Sequence, residues 1–156
     1  MAGYYERPER KMKMRLIDER CKPEQNGDWI DLRMHCHECN SGIHPIIKYK
    51  KGDIFKVSLG FAAELPKGYH AQVVARSSTR KHFGVMLTNA IGIIDESYMG
   101  DNDIWKAEFI AVEDGEMKRG DRIVQFRLVR NGDPIEIEFV EHLGNPDRGG
   151  FGSTGK

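Results

Sequence analysis

The chain has 156 residues, of which 39% are hydrophobic and 31% charged, and its 24 basic residues balance its 24 acidic ones. This length and composition fit one globular domain and exclude a disordered polyelectrolyte. A net charge near zero argues against a nucleic-acid or membrane-surface binder, because such proteins depend on a strong positive field. No stretch approaches the roughly 20 apolar residues of a membrane span. Three cysteines and a polar N-terminus unlike a signal peptide predict reduced thiols and a cytoplasmic location.

Much of the chain alternates apolar and polar residues with period two, which is the pattern of half-buried β-strands. The clearest examples are residues 30–34, 55–61, 124–128 and 135–139. Turn-forming Gly, Asn, Asp and Pro residues separate these stretches, and only residues 77–82 look helical. Many short strands at this spacing predict an all-β sandwich, jelly roll or barrel.

Residues 1–144 are predicted to form this β domain, with residues 1–12 as a loose polar arm. Residues 145–156 are rich in glycine and polar residues and contain one aromatic residue. Because such a segment cannot bury much surface alone, we predict a second arm that a ligand or a partner chain orders.

The last seven residues, GFGSTGK, match the spacing G-x-x-x-x-G-K of a phosphate-binding loop. They lack the helix that this loop requires, so the match fails as a nucleotide-hydrolase motif. Backbone N–H groups at the glycines can still converge on an anion, with further donors from Ser153, Thr154 and Arg148. Phe151 can close over a flat ring.

Three internal segments carry further candidate chemistry. Arg76, Ser77 and Ser78 follow a predicted strand and can form an anion cradle, although a serine that caps a helix is the alternative. Asp95 ends an apolar hairpin that is predicted to be buried, where its carboxylate can act as a general base or form a turn. Gln125 faces away from its apolar neighbours, as a surface or interface residue would.

Five segments stand out when the chain is taken in order. They are GDWIDLRM around Asp31, ARSST around Arg76, NAIGIIDESYMG around Asp95, GDRIVQ around Gln125, and RGGFGSTG in the arm. Together they resemble the motifs of the homotrimeric dUTPase family over residues 27 to 156, and they look most like a subgroup found in Gram-positive bacteria and their phages. The resemblance implies a jelly roll of the β-clip type, with one short helix and a C-terminal arm that closes over the nucleotide.

The resemblance implies hydrolysis of dUTP to dUMP and pyrophosphate, which keeps uracil out of DNA and supplies dUMP for dTMP synthesis. Asp95 matches the general base that orients water toward the α-phosphorus. Tyr98 matches the residue under the deoxyribose, whose ring leaves no room for a 2′-hydroxyl. The implied uracil pocket consists of Asn89, Gly92 and Ile94, with Phe151 as its aromatic lid.

The resemblance also implies Mg²⁺ on the triphosphate, with Asp31 helping to hold the water shell of the ion. Sites in the family are shared by three chains, so a homotrimer is implied, with the arm crossing to another subunit. Neither a nucleic acid nor a membrane is an expected partner. The implied phosphate contacts are Arg76, Ser77, Ser78, Gln125, Arg148, Gly152, Ser153 and Thr154.

Two features lie outside this resemblance. The run from His35 to Cys39, HCHEC, invites a zinc interpretation, but there is no second C-x-x-C pair, and neighbouring residues of an extended segment face opposite sides. We therefore interpret the run as a strand end that enters a polar loop, and whether Cys36 and Cys39 bind a metal stays open. Residues 100–105 form a segment longer than the common form of the family, in which Trp105 has no assigned role.

Two alternative functions stay open at this point. A dCTP deaminase shares the fold and the Arg-Ser-Ser start of the second motif, but it uses a glutamate to activate water and lacks the GFGSTG arm. A trimer of the same fold could instead sense the nucleotide and signal through a protein partner, with residues 100–105 as the candidate surface.

Overall fold

The computed structural model describes residues 10–39, 42–150 and 152. This part of the chain forms short strands, one five-residue α-helix, α1 (Thr79–Phe83), and one 3₁₀ turn (Glu19–Cys21). The strands are β1 (Lys13–Leu16), β2 (Glu24–Asn26), β3 (Trp29–Arg33), β4 (Cys36–Cys39), β5 (Gly42–His44), β6 (Ile46–Tyr49), β7 (Ile54–Ser58), β8 (Phe61–Glu64), β9 (Tyr69–Ala75), β10 (Val85–Leu87), β11 (Gly92–Ile94), β12 (Lys106–Ala111), β13 (Gly115–Lys118) and β14 (Arg122–Arg130).

These strands assemble into two five-stranded antiparallel sheets. The first sheet has the order β10-β12-β7-β4-β5, and the second has the order β11-β9-β14-β3-β2. Two ribbons, β1-β8 and β6-β13, complete the described part of the fold. Most neighbours within the sheets are distant in sequence, as jelly-roll connections require, so the predicted all-β jelly roll is confirmed.

The inward residues of both sheets form one apolar core. Trp105 is fully buried there, with its ring centroid 4.8 Å from that of Phe61 and 5.2 Å from that of Phe126. Aromatic rings at this separation and tilt pack favourably. The tryptophan that the sequence left without a role is therefore a core residue.

The strands predicted at 30–34 and 124–128 are confirmed as β3 and the centre of β14. The strand predicted at 55–61 is instead divided into β7 and β8 by a turn at Gly60, whose φ is +76°. A Cβ atom at this position would lie 2.9 Å from the Cβ atoms of two neighbouring side chains. The close approach and the left-handed backbone both require glycine here.

The strand predicted at 135–139 is wrong for the single chain. Residues 131–150 form neither strand nor helix, and Ile135 and Phe139 are 81% and 93% exposed. Alternation marks a segment with one apolar face, but it does not say which surface covers that face. No strand among the described residues pairs with this segment.

The helical turn predicted at 77–82 is observed as α1, two residues later at its start. Gly84 ends this helix in the left-handed region at φ 62°, and its N–H donates to the carbonyl of Arg80 at 2.8 Å. None of the helices in the described part of the chain is long and apolar enough to span a membrane.

Candidate active site

A cleft of about 610 Å³ opens beside the turn that joins β10 to β11 and the loop that follows β11. Four predicted site residues, Asn89, Ile94, Asp95 and Tyr98, line this cleft together. Gly92, the fifth residue of the predicted pocket, begins β11 but is not part of the lining. The complete lining is Lys56, Thr88, Asn89, Ile93, Ile94, Asp95, Ser97, Tyr98, Ile104, Lys106 and Glu108.

Asp95 directly follows β11 and is exposed at the cleft. Its Oδ2 accepts a hydrogen bond from the N–H of Ser97 at 2.9 Å and another from the Ser97 hydroxyl. Both bonds favour the charged form, and they hold the pKa of Asp95 below its ordinary value. Asp95 is therefore an oriented, ionised carboxylate at neutral pH, which is what a general base for water requires.

The strand that leads to Asp95 is not buried as predicted. β11 lies at the edge of the second sheet, where it pairs only with β9, and Ile93 is 58% exposed. In the preceding turn, Ala90 adopts a left-handed φ of 56°. An edge strand keeps backbone N–H and C=O groups free to bind a ligand. The exposed hairpin thus offers the backbone groups that the predicted uracil pocket needs.

Tyr98 belongs to the same turn as the carboxylate, because its N–H donates to the carbonyl of Asp95 at 3.1 Å. The hydroxyl of Tyr98 donates to the carbonyl of Ile104 at 3.2 Å. The loop between these two residues is closed by Asp103, which accepts from the N–H of Gly100 at 2.8 Å. The contacts of Gly100, Asp103 and Ile104 therefore act as a brace that holds the Tyr98 ring at the cleft.

Sequence reasoning missed the opposite wall of the cleft, which comes from β7 and β12. Lys56 of β7 lies opposite Glu108 of β12, with 3.9 Å between Nζ and Oε2. Lys106, also on β12, forms an ion pair with Glu38 at 3.2 Å. Charged residues that alternate with core residues are typical of a solvated sheet face. Only the strand register shows that this face stands beside Asp95.

A second group of predicted residues gathers around Asp31, whose side chain is buried. The Nε of Arg76 donates to Asp31 Oδ1 at 2.9 Å, and Nη1 of Arg122 donates to Oδ2 at 3.4 Å. Arg76 also donates to the backbone carbonyl of Arg122 at 3.2 Å. Asp31 is thus the anchor that fixes Arg76.

The other predicted phosphate contacts of this group lie around Arg76. Ser78 precedes α1 without forming a capping hydrogen bond, and its Oγ lies 3.5 Å from Nη1 of Arg76. Ser77 is exposed. Gln125 donates to the carbonyl of the residue before Arg76 at 3.3 Å. Thr79, which was not predicted, is buried and accepts from the N–H of Arg76 at 2.9 Å, so it fixes the backbone of this corner.

The two groups lie at opposite ends of β9. Ile94 pairs with Ala71, so Asp95 lies beside His70 near the start of that strand. Arg76 follows the last residue of the same strand. At about 3.3 Å per residue, the strand separates His70 from Arg76 by roughly 20 Å. This separation exceeds the length of a nucleotide's three-phosphate chain, so one copy of the chain does not bring Asp95 and Arg76 to one phosphate group.

Among the described residues of the arm, 145–150 and 152, two are predicted phosphate contacts. Arg148 and Gly152 are exposed. Arg148 neither lines the cleft nor bonds to the carboxylate of Asp31. The predicted contacts Phe151, Ser153 and Thr154 lie outside the described residues.

Within residues 10–39, 42–150 and 152, no three His, Cys, Asp or Glu side chains converge in a way that could hold a metal ion. Cys36 is almost fully buried, its Sγ lies 3.3 Å from Nδ1 of His35, and burial raises the pKa of its thiol. Cys36 and Cys39 are the first and last residues of β4.

Most of the chain is similar to known proteins. The dUTPase family model matches residues 46–155. The SPbeta prophage-derived deoxyuridine 5′-triphosphate nucleotidohydrolase YosS of Bacillus subtilis strain 168 is 46% identical over 147 residues, which is 92% of this chain and 97% of that protein. The deoxyuridine 5′-triphosphate nucleotidohydrolase of Anaplasma marginale strain St. Maries is 40% identical over 101 residues, which is 64% of this chain and 67% of that protein.

Solved structures of similar fold include the dUTPase from Streptococcus mutans, with a TM-score of 0.67 and 21% identity over 79% of this chain and 98% of that one. The Staphylococcus bacteriophage 80alpha dUTPase with dUPNHPP has a TM-score of 0.69 and 18% identity over 94% of this chain and 99% of that one. At these identities the likeness concerns the fold, which is the same jelly roll. The match to the family model and the 46% identity to the nearly full-length relative in Bacillus subtilis show that the chain belongs to the dUTPase family.

Proposed function

We propose that this chain hydrolyses dUTP to dUMP and pyrophosphate, with Asp95 as the general base. The observation that carries this proposal is the ionised Asp95 carboxylate, held by Ser97 in one cleft with Asn89 and Tyr98. The nucleotidohydrolase YosS, 46% identical, supports dUTP as the substrate. In the cytoplasm this reaction keeps uracil out of DNA and supplies dUMP for dTMP synthesis.

In this proposal the hairpin around β11 reads the nucleoside. Asn89 and the backbone at Gly92 and Ile94 bind the uracil edge, and Tyr98 packs under the deoxyribose. The hydrogen bond to the Ile104 carbonyl fixes the Tyr98 ring. A ribonucleotide is therefore excluded, because its 2′-hydroxyl would clash with a ring that cannot move aside. A site that satisfies its polar groups with uracil rejects other bases, because a wrong base leaves those groups unpaired. Phe151 is the proposed lid over the base.

The phosphates are bound by donors that the fold holds in place. Arg76 is fixed by Asp31, and Ser77, Ser78 and Gln125 surround it at the same end of β9. Donors that are already oriented stabilise the charge that develops on a transferring phosphoryl group without further rearrangement. From the arm, Arg148, Gly152, Ser153 and Thr154 are proposed to close on the β- and γ-phosphates.

Mg²⁺ is proposed to enter with the nucleotide as Mg·dUTP, since it prefers phosphate oxygens and water to a cage of protein ligands. The ion neutralises charge on the triphosphate. Among the described residues no three His, Cys, Asp or Glu side chains converge as metal ligands, which fits an ion that enters with the phosphates. In the family's solved structures, a dUTPase variant from phage phi11 of S. aureus is described with a structural Mg(II) ion.

We infer that each active site is shared between copies of the chain in a homotrimer. The roughly 20 Å between the Asp95 end and the Arg76 end of β9 requires a second copy to complete the site. The exposed apolar side chains at 135–139 need a covering surface. Each copy also offers an apolar groove of about 380 Å³. Its apolar lining consists of Met12, Met14, Leu16, Pro23, Ile30 and Phe126.

Replacing Ser97 with alanine tests the electrostatics of the base. The Ser97 hydroxyl stabilises the charged form of Asp95, so its removal raises the pKa of that carboxylate toward the ordinary value. A higher pKa means that protonation inactivates the base at a higher pH. The acidic limb of the kcat/KM profile is therefore expected to move to higher pH in Ser97→Ala and to return in Ser97→Thr. If the acidic limb of the kcat/KM profile stays at the same pH in Ser97→Ala, the protonation of Asp95 does not control the rate.

The substrate assignment is tested by pyrophosphate release from dUTP, UTP, dTTP and dCTP with Mg²⁺ present. Turnover is expected for dUTP alone, because UTP carries a 2′-hydroxyl, dTTP a 5-methyl group and dCTP a different base edge. If UTP and dUTP are hydrolysed at equal rates, Tyr98 does not discriminate between ribose and deoxyribose. Ammonia release from dCTP would assign the chain to the deaminases instead.

A further inference from the structure

Four half-buried polar side chains join the loop that carries Asp95 to the end of β14. They are His70 and Gln72 of β9, Glu96 of the loop, and Asn131, which directly follows β14. None of these four residues lines the active-site cleft. Their hydrogen bonds nevertheless lead to Glu96, the residue next to Asp95 in the chain.

Glu96 ties its loop to two other segments at this end of the second sheet. Its Oε2 accepts from the N–H of Gly68 at 3.0 Å and from Nδ2 of Asn131 at 3.3 Å. The N–H of Asn131 in turn donates to the carbonyl of Gly68 at 2.8 Å. The loop after β11, the turn before β9 and the residue after β14 are thus closed into one ring of hydrogen bonds. The Glu96 carboxylate holds this ring together.

The hydrogen bonds of His70 give this network one direction. Nε2 of Gln72 lies 3.2 Å from Nε2 of His70, and because an amide nitrogen can only donate, the ring nitrogen accepts. Nδ1 of the same ring lies 2.8 Å from Oδ1 of Asn131 and therefore carries the proton. Every donor then points toward Glu96, from Gln72 through His70 and Asn131. Hydrogen bonds in such a chain polarise and strengthen one another.

The position of Glu96 affects the base directly. Ile94 pairs with Ala71, which places Asp95 beside His70 on the neighbouring strand. Ser97 makes the largest contribution to the lowered pKa of Asp95, and the N–H of Glu96 adds a smaller one. A shift of the Glu96 backbone would therefore change both the aim and the charge of the Asp95 carboxylate.

We propose that Glu96 is a positioning residue for Asp95, and that Asn131 and His70 hold Glu96 in place. This inference rests on the proposed hydrolysis of dUTP with Asp95 as the base. A misplacement of about 1 Å in an active site can cost about 10²-fold in rate. The brace that holds the Tyr98 ring consists of other contacts, so nucleotide binding does not depend on Glu96 in the same way. The network therefore affects kcat more than affinity.

The kinetic test compares Glu96→Ala, Glu96→Gln and Asn131→Ala with the wild type, with dUTP and Mg²⁺ present. Both alanine variants are expected to lower kcat roughly 10–100-fold and to keep the Kd of a non-hydrolysable dUTP analogue near that of the wild type. Glu96→Gln should recover most of the rate, because its amide oxygen can still accept both hydrogen bonds. The double alanine variant should be no slower than the slower single one, since residues of one network are not additive.

The matched control is Glu113→Ala, which removes an exposed carboxylate that pairs with Arg80 at 3.3 Å, outside the cleft and the network. This variant should keep the kcat of the wild type. Circular dichroism checks that each variant is folded, and Asn131→Ala alone decides if Glu96→Ala is not.

A second measurement does not depend on turnover. In a ¹H–¹⁵N spectrum of the full chain, Asn131→Ala should shift the amide signal of Ser97, whose N–H donates to Asp95 at 2.9 Å. Glu113→Ala should leave that signal in place. If the wild type does not hydrolyse dUTP, the proposed function is wrong, and the Ser97 signal still decides whether the network fixes this loop.

Three results would overturn the positioning role. The first is an active wild type whose kcat is unchanged in both alanine variants. The second is a Glu96→Gln variant as slow as Glu96→Ala, since the hydrogen bonds alone would then not set the rate. The third is a Ser97 signal that does not move in Asn131→Ala.

Discussion

Asp95→Asn is expected to lose most turnover of dUTP while the fold and nucleotide binding persist. An asparagine has nearly the same shape and can still accept the N–H of Ser97, so the turn that holds Tyr98 should remain. A neutral amide cannot take the proton of the attacking water. Loss of a positioned general base typically costs about 10²–10⁴-fold in rate. The measurement is kcat for pyrophosphate release beside the Kd of a non-hydrolysable dUTP analogue.

A matched control separates the base from a change in local charge. Asp101→Asn removes one negative charge from the exposed loop close to Tyr98, where the described side chains place no bond on that carboxylate. This variant should turn over dUTP at a rate near that of the wild type. If Asp95→Asn also does so, Asp95 is not the base.

The alternation of apolar and polar residues was enough to predict strands that pack one face on the core. Alternation predicted β3 and the centre of β14 because each strand buries one side chain in two against the core. The pattern failed at 135–139 for a physical reason. It reports that a segment has an apolar face, but no strand among the described residues pairs with this segment, and Phe139 is exposed.

Some residues of the candidate site could be predicted from a local motif, and others could not. Asn89, Asp95 and Tyr98 lie in one short stretch, so a sequence motif could predict that they share a cleft. Lys56 and Lys106 reach that cleft only through the pairing of β7 with β12, which no local pattern encodes.

The ion pairs of Asp31 were not predicted from the sequence. The resemblance implied a carboxylate that helps to hold the water shell of a metal ion, and that role stays a prediction. In the fold, this carboxylate anchors Arg76 and Arg122, which are distant in sequence and meet it only through the order of strands in the second sheet. Such an ion pair depends on topology and therefore could not be predicted from spacing.

One working site is proposed to take Asp95 from one copy and Arg76 from another, and mixed trimers test this directly. Asp95→Asn and Arg76→Gln are co-expressed with different tags, and assemblies that carry both tags are purified in tandem. Arg122 still pairs with Asp31 in Arg76→Gln, so the buried carboxylate keeps a partner. Each variant alone should be almost inactive, and circular dichroism should show that both are folded.

In a ring of three chains that contains both variants, only one of the three interfaces joins an intact Asp95 to an intact Arg76 of its neighbour. Pyrophosphate release per mixed trimer is therefore expected to recover to about one third of the wild-type rate. If each site lies within one copy, no chain of the mixture carries both residues. Activity that stays at the level of the separate variants would contradict the shared site.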